Sequence, residues 1–181
     1  MAICMAKGAI MVLMVIAQNG FRDEEYFKPK DLLEFAGCIV KTASVQTGAA
    51  RGKMGGTAKV DVSLSEVKVE DYAAVVFVGG PGAADYIDDE TALNLAREAD
   101  KKGRIVGAIC IAPAILARAG ILKGKKATVF PSDRGILIEG KANYVDMPVV
   151  VDGRIITASG PDAAHEFGKT LVKALGADNN K

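Results

Sequence analysis

The sequence predicts an α/β fold in which a mainly parallel sheet carries helices on both faces. Short apolar runs at 9–17, 73–78 and 104–109 are typical of parallel strands that are buried on both faces. Segments with apolar residues at helical spacing separate most of these runs. A third observation is the sequence GAICIAP at 107–113, where a buried strand is expected to turn directly into a helix.

The first strand and the first helix come from the N-terminal part of the pattern. The run AIMVLMVIA at 9–17 is continuous and apolar, so it predicts a buried strand. A helix is expected at about 24–36, where apolar side chains recur at helical spacing and Gly37 ends the pattern. Pro29 falls inside this segment, so either it lies in the first turn or the helix begins later.

Three further strands are expected before the middle of the chain. The segment CIVKTAS at 38–44 predicts the second strand, and KVDVSL at 59–64 alternates as a half-exposed strand does. Between them, the Gly-rich segment at 47–56 has no period and predicts a loop or a hairpin. The run AAVVFV at 73–78 predicts a buried strand, and the sequence GGPG at 79–82 predicts a tight turn after it.

The second half continues the alternation of strands and helices. The segment 88–103 places acidic residues first and lysines last, which matches the dipole of a helix. RIVGAI at 104–109 predicts a strand, and 112–122 predicts a helix with Pro113 early, where a missing N–H does no harm. Three more strands and a last helix are expected at about 127–130, 147–151, 154–158 and 162–175.

The length of 181 residues, half of them hydrophobic, fits one compact domain. We expect this domain at 9–175, after a flexible leader at 1–8 and before a C-terminal tail at 176–181. The apolar run at 9–17 is shorter than the roughly 20 residues of a membrane span, and no small-residue cleavage site follows it. A buried strand therefore explains the run better than a signal peptide, and no membrane association is expected.

The charge and the cysteines exclude several classes of function. There are 23 Lys and Arg against 22 Asp and Glu, so the net charge of +1 does not favour a nucleic-acid partner. The basic cluster KGKK at 123–126 is interpreted as a solvated loop. An odd, scattered set of cysteines, Cys4, Cys38 and Cys110, predicts reduced thiols in the cytoplasm rather than disulfides. No zinc-type spacing is present, and no metal or other cofactor is expected.

Cys110 is distinguished from the other cysteines by its place at the end of a buried strand. A sharp turn from strand to helix raises the residue at the bend above the sheet, as in the nucleophile elbow of α/β hydrolases. Small neighbours, Gly107, Ala108 and Ala112, allow such a turn. The N-terminus of the following helix is expected to lower the pKa of the thiol. Cys38 is interpreted as an ordinary buried cysteine.

The chain resembles the ThiJ/PfpI superfamily, which includes PfpI-type intracellular proteases and the parkinsonism-associated deglycase group. The resemblance extends over about residues 9–175. It depends on segments in the family's order: VIAQNGFRDEEY, GKMGGTAKVDVSLSEV, VVFVGGPGA, RIVGAICIAP, AGILKGKKAT and VVVDGRIITASGP. It implies a flavodoxin-like three-layer sandwich with a nucleophile elbow at the cysteine, without a cofactor, in a homodimer or larger homo-oligomer.

The resemblance also implies roles for individual residues. Cys110 matches the nucleophilic cysteine, and Glu25 matches a buried glutamate that contacts the sulfur and acts as acid or base. Such a carboxyl is expected to be protonated beside a thiolate, because two negative charges in a poorly hydrated pocket repel each other strongly. Glu24 is the nearest rival for this role. Three backbone N–H groups match an oxyanion hole, those of Gly79, Gly80 and Ile111.

The sequence departs from the family pattern at the protease triad. Ile111 stands where PfpI-type proteases carry histidine directly after the cysteine. A glutamate that the family contributes from a neighbouring subunit aligns near Ala84, with Asp85 as the closest acid. The single histidine, His165, lies on the last predicted helix and is expected at the surface. Phe130 stands near a position that is histidine in some members of the deglycase group.

Three functions are therefore compared. The leading one is a cysteine-dependent enzyme, hydrolase or lyase, that acts on small reactive carbonyls in a glyoxalase-like or deglycase-like reaction. The second is an oxidation-sensing or chaperone-like stress protein, because an accessible cysteine of low pKa is readily oxidised. The third is an intracellular cysteine protease, which Ile111 argues against. A subunit contact near the site is expected in the loop at 51–56.

Overall fold

Strands and helices alternate along the chain in the computed structural model, which describes residues 8–177. The strands are β1 (Met11–Val15), β2 (Asn19–Phe21), β3 (Ile39–Ser44), β4 (Gly48–Gly52), β5 (Thr57–Val60), β6 (Val62–Ser63), β7 (Ala74–Phe77), β8 (Ile105–Ile109), β9 (Lys126–Ala127), β10 (Asn143–Tyr144), β11 (Val149–Asp152) and β12 (Ile155–Ala158). The helices are α1 (Asp23–Phe35), α2 (Glu90–Lys101), α3 (Pro113–Arg118), α4 (Arg134–Glu139) and α5 (Ala164–Ala174).

Seven strands form the central sheet, in the order β11-β12-β8-β7-β1-β3-β6. Every neighbouring pair is parallel except β11 with β12, which is antiparallel at one edge. All four residues of β7 are buried, because helices cover both faces of the sheet. The fold is therefore the α/β architecture with a mainly parallel sheet that the apolar runs predict.

The two faces of the sheet belong to two separate hydrophobic clusters. Along β1, Leu13 belongs to one cluster and Met14 to the other, as the two-residue period of a strand requires. The first cluster includes side chains from α2, α3 and α4, and the second includes Leu33 of α1 and Phe167 of α5. The result is a three-layer sandwich, in agreement with the flavodoxin-like arrangement that the resemblance implies.

Pro29 lies in the middle of α1, not in its first turn. The helix begins at Asp23, so the prediction that Pro29 marks its start, or that the helix begins later, is wrong. Proline removes the bond to the carbonyl four residues earlier, which leaves the carbonyl of Glu25 without its helical donor. Packing compensates for this loss: Pro29 is buried, and a Cβ atom at Gly168 of α5 would lie 2.9 Å from its Cα.

The Gly-rich segment at 47–56 supplies β4 and the turn of the hairpin β4–β5, which is one of the two alternatives expected there. This hairpin joins β2 in a three-stranded sheet of its own. Other local elements differ from the sequence-based expectations. The strand expected at 127–130 is reduced to the two residues Lys126–Ala127. Helix α4 was not expected, because six residues are too few to display a helical period.

The ends of the chain lie beyond what the structure describes. The leader expected at 1–8 lies outside the described residues except for Gly8, and of the expected tail only 176–177 are described. Cys4 also falls outside the described part. Within residues 8–177, no helix is long and apolar enough to cross a membrane.

Candidate functional site

Three segments meet at the carboxyl end of the central strands. Parallel strands β1, β7 and β8 are neighbours, so the segments that follow them lie at the same edge of the sheet. The turn at Gly79 and Gly80 follows β7, and Cys110 follows β8. Glu25 lies in the first turn of α1. The backbone N–H of Arg22 donates to the carbonyl of Gly79 at 2.9 Å, which joins the start of this helix to the turn.

Cys110 occupies a strained backbone conformation at the end of β8. Its φ is 65°, a left-handed value that is uncommon for residues other than glycine. Two backbone hydrogen bonds hold it there: its N–H donates to Ala158 at 2.9 Å, and its carbonyl accepts from Phe130 at 2.8 Å. Such strain persists only when the surroundings impose it, and it is common at active sites. The local geometry is that of the nucleophile elbow expected from the sequence.

Glu25 is a fully buried carboxyl beside this cysteine. Its exposed fraction is 0%, and within the described residues neither carboxyl oxygen has a well-directed hydrogen bond. A Cβ atom at Gly79 would lie 2.5 Å from Oε2 of Glu25 and 2.6 Å from Cβ of Cys110. The two residues are therefore within about 5 Å of each other, close enough for the charge of one to shift the pKa of the other. Glycine is required at position 79 because any side chain would occupy this contact.

Burial dominates the ionisation of Glu25. It raises the pKa of the carboxyl to about 7, although the nearby Cys110 thiol and the N–H of Gly79 favour the charged form. The N–H of Gly79 thus acts on the carboxyl, whereas those of Gly80 and Ile111 act on the sulfur. The three backbone groups that match an oxyanion hole are therefore divided between the two side chains.

The thiol of Cys110 is harder to ionise than the sequence suggests. Burial and the neighbouring Glu25 raise its pKa to about 12, and the N–H groups of Ile111 and Gly80 only partly oppose this. The sequence predicts a lowered pKa from the N-terminus of the following helix, whereas burial and Glu25 raise it, and α3 begins only at Pro113. The pair therefore releases its first proton near pH 7 and shares one negative charge above it.

A cleft of about 280 Å³ opens above the pair. It is lined by Arg22, Glu25, Lys53, Gly80, Pro81, Cys110, Ile111, Phe130, Ser132, Asp133 and Pro161. Sequence reasoning did not assign Arg22, Ser132 and Asp133 to the site, because they are ordinary polar residues in the sequence. Arg22 lies three residues before Glu25 in the segment RDEE, and Lys53 belongs to the loop at 51–56 that was expected near the site only as a subunit contact.

The four residues of RDEE have different surroundings. Arg22 lines the cleft and pairs with Glu24, whose carboxylate accepts from Nε at 2.8 Å and from Nη2 at 3.2 Å. Asp23 accepts hydrogen bonds from the backbone of the β4–β5 turn at 53–56. Glu25 alone lies beside Cys110, so the geometry separates it from its rival Glu24.

Of the other residues singled out from the sequence, most lie outside the cleft of Cys110. His165 is exposed on α5 and does not line the cleft, whereas Phe130 does. Asp85 lines a second groove, of about 310 Å³, and neither it nor Ala84 lines the cleft of Cys110. Arg51 lies on β4, outside the cleft lining. Among residues 8–177, no group of three or more His, Cys, Asp or Glu is placed to hold a metal ion.

Comparison with known proteins gives one consistent family. The model of the DJ-1/PfpI family matches residues 11–174. An uncharacterized protein of Methanocaldococcus jannaschii is 45% identical over 171 residues, which cover 93% of this chain and 83% of that protein. A protein of Pyrococcus furiosus named deglycase PfpI is 33% identical over 165 residues, covering 91% of this chain and 99% of that protein.

The comparison of structures agrees with the comparison of sequences. The crystal structure of a ThiJ/PfpI domain protein from Brachyspira murdochii superposes with a TM-score of 0.92 at 36% sequence identity. The match covers 94% of this chain and 99% of the other. The two proteins therefore share their fold over nearly the whole length of both chains.

Proposed function

The chain belongs to the DJ-1/PfpI family, and we propose that it is a cysteine-dependent enzyme that acts on small reactive carbonyls. Cys110 is the nucleophile and Glu25 is the acid and base. The observation that carries this proposal is the contact of a buried carboxyl, whose pKa is raised to about 7, with a thiol at a strained elbow. The cleft above them is open to a small molecule.

The ionisation of the pair suggests how the nucleophile is formed. At neutral pH the single negative charge resides mainly on Glu25, since the pKa of the Cys110 thiol is raised to about 12. Glu25 therefore takes the proton of the thiol as the sulfur attacks, and it acts as a general base with a pKa near the working pH. The thiolate exists during the attack and is a minor form at rest.

For a 2-oxoaldehyde the steps balance with water as the only co-substrate. The sulfur of Cys110 bonds to the aldehyde carbon, and the proton held by Glu25 passes to the new alkoxide to give a hemithioacetal. The carboxylate then removes the hydrogen from the same carbon and returns it to the adjacent carbon, while the hydroxyl proton passes to the oxygen of that adjacent carbon. This isomerisation leaves the thioester of a 2-hydroxy acid. Water cleaves the thioester, releasing a 2-hydroxy acid and restoring the thiol. In the deglycase version, the same pair acts on an early adduct of the aldehyde with an amino group.

Backbone donors have a clear place in this scheme. The N–H groups of Gly80 and Ile111 act on the sulfur of Cys110, so they lie close to the carbon that it attacks. Negative charge develops on the substrate oxygen there, and donors already in position stabilise it without reorganisation. Gly79 supports Glu25 instead, both through its N–H and by leaving room for the carboxyl.

Two other functions are less well supported. An oxidation sensor works best with a thiol that ionises readily, and the raised pKa of Cys110 opposes this. A peptidase needs a group that protonates a poor leaving amine. Ile111 occupies the position of the family's histidine, and no histidine lines the described cleft.

Turnover of a 2-oxoaldehyde tests the proposal. We expect methylglyoxal to be converted to lactate, followed by proton NMR, with activity lost in Cys110→Ser and reduced at least about 100-fold in Glu25→Gln. The matched control is Cys38→Ser, which removes a buried thiol outside the cleft and should leave the rate unchanged. Equal turnover by the parent protein and Cys110→Ser, or none by either, would refute the proposal.

A further inference from the structure

Arg22 presents an oriented guanidinium to the cleft. Glu24 accepts two hydrogen bonds along one side of the group, from Nε at 2.8 Å and from Nη2 at 3.2 Å. No other side chain or carbonyl in the described part of the chain accepts from it. The side-on contact leaves Nη1 and one hydrogen of Nη2 available to a ligand. A fork of parallel N–H groups of this kind matches the two oxygens of a carboxylate or a phosphate.

Lys53 brings a second cation to the same cleft. Its backbone N–H donates to the carbonyl of Phe21 at 2.8 Å, next to Arg22 in the chain. The turn that carries Lys53 is fastened to α1, because Asp23 accepts from Met54 at 2.8 Å and from Gly56 at 2.7 Å. The folded hairpin thus places Lys53 in the lining of the same cleft as Arg22, although the two residues lie far apart in sequence.

The acidic residues near Arg22 and Lys53 leave both cations able to bind an anionic ligand. Glu24 is engaged by Arg22, and Glu25 is buried beside Cys110 with a raised pKa. The remaining acid of the cleft lining, Asp133, accepts from the hydroxyl of its neighbour Ser132 at 3.2 Å. Arg22 also feels the charges of Glu25 and Cys110, which indicates that its guanidinium lies within electrostatic range of the reacting pair.

We propose that Arg22, assisted by Lys53 and positioned by Glu24, selects carbonyl substrates that bear a carboxylate or a phosphate beyond the two reacting carbons. The carbonyl chemistry rests on the proposed function, whereas the anion site does not. The product of the proposed reaction is itself a carboxylate, formed in the cleft that Arg22 lines. Arg22 is thus a specificity-determining residue, and Glu24 is a positioning residue that fixes the plane of its guanidinium.

Two alkylating reagents of the same size test the anion site without any turnover. Iodoacetate carries a carboxylate, iodoacetamide is neutral, and the ratio of their rates at Cys110 measures preference for an anion. We expect Arg22→Gln to lower this ratio about tenfold, as the loss of a nearby charge in a partly hydrated cleft should do. Arg22→Lys should lower it less. The control is Arg97→Gln on α2, which removes a guanidinium outside the cleft and should leave the ratio unchanged. An unchanged ratio in Arg22→Gln would overturn the proposal.

The variant Glu24→Ala tests whether Glu24 orients the guanidinium of Arg22 or whether Arg22 acts only through its charge. Removing an acid from the neighbourhood should raise the preference for iodoacetate if Arg22 acts only as a point charge. If Glu24 orients the guanidinium, the preference falls although the cation is still present. We expect the fall, and a rise would contradict the positioning role.

Protection of Cys110 identifies the class of anion. Lactate, glycerol 3-phosphate and glycerol are each tested for slowing the reaction of Cys110 with iodoacetamide. We expect at least one of the two anions to protect, glycerol to have no effect, and Arg22→Gln to abolish protection. The better protector assigns the site to carboxylates or phosphates; protection by neither, or protection that persists in Arg22→Gln, would refute the site. If protection depends on Arg22 but no carbonyl is turned over, the proposed function fails and the anion site stands.

Discussion

Replacing Glu25 by glutamine should change how the reactivity of Cys110 depends on pH. In the parent protein the pair loses its first proton near pH 7, because burial raises the pKa of Glu25 to about 7. The shared charge then allows a small population of thiolate, with the proton on the carboxyl. The rate of alkylation by iodoacetamide should therefore rise with an inflection near pH 7. In Glu25→Gln this inflection should disappear.

The pKa of the Cys110 thiol in Glu25→Gln follows from the distance between Cys110 and Glu25 in the parent protein. Two charges about 5 Å apart repel each other by about 3 kcal/mol at an effective dielectric constant of about 20. That energy corresponds to about two pH units. Since the pKa of the Cys110 thiol is raised to about 12 with Glu25 ionised, the variant should ionise in a single step near pH 10.

The assay is alkylation of each cysteine at a series of pH values, followed by peptide mass spectrometry. Cys38 is the internal reference, because it is buried outside the cleft and burial raises its pKa in both proteins. Circular dichroism of Glu25→Gln establishes that the variant is folded. An inflection near pH 7 that persists in the variant would refute the shared-proton scheme. So would a parent rate already at its plateau near pH 6, since this requires a thiolate formed in advance.

Three further predictions concern stability and the architecture of the site. The pKa of Glu25 is about 7 when folded and 4.5 as its ordinary value, so the folded state binds the extra proton between these pH values. The protein should therefore lose about 3 kcal/mol of unfolding free energy from pH 4.5 to pH 7 relative to Glu25→Gln, measured by urea denaturation; equal slopes would contradict the buried-carboxyl assignment. Gly79→Ala forces a Cβ against Glu25 and Cys110 and should cost about 1–3 kcal/mol in the same assay; an unchanged midpoint would be evidence against the close contact. Asp23→Ala leaves the N–H groups of the turn at 53–56 without their acceptor, so hydrogen exchange there should accelerate about tenfold or more, with the strand β8 as an unaffected reference.

The layout of the protein follows from its sequence to a large extent. Runs such as AAVVFV at 73–78 predict buried parallel strands because both faces are apolar, and β7 is buried throughout. The elbow was predictable because a strand, a cysteine and small neighbours can form a sharp turn. Short elements were not predictable, because α4, for example, has too few residues to show a period. The place of Pro29 inside α1 was not predictable either, because its close packing against Gly168 of α5 exists only in the folded protein.

The sequence by itself determined the order of the main strands and helices, the edge of the sheet that carries the site, and Cys110 as its nucleophile candidate. It named Glu25 only through the resemblance to a family. Only the tertiary structure decided which neighbour in RDEE lies beside the thiol and that Lys53 joins Arg22 at the cleft. It also showed that the pKa of the Cys110 thiol is raised, whereas the sequence predicted that it is lowered. The physical reason is that backbone pattern is a local property of the chain, whereas the ionisation of a buried group depends on hydration and on charges brought together by folding.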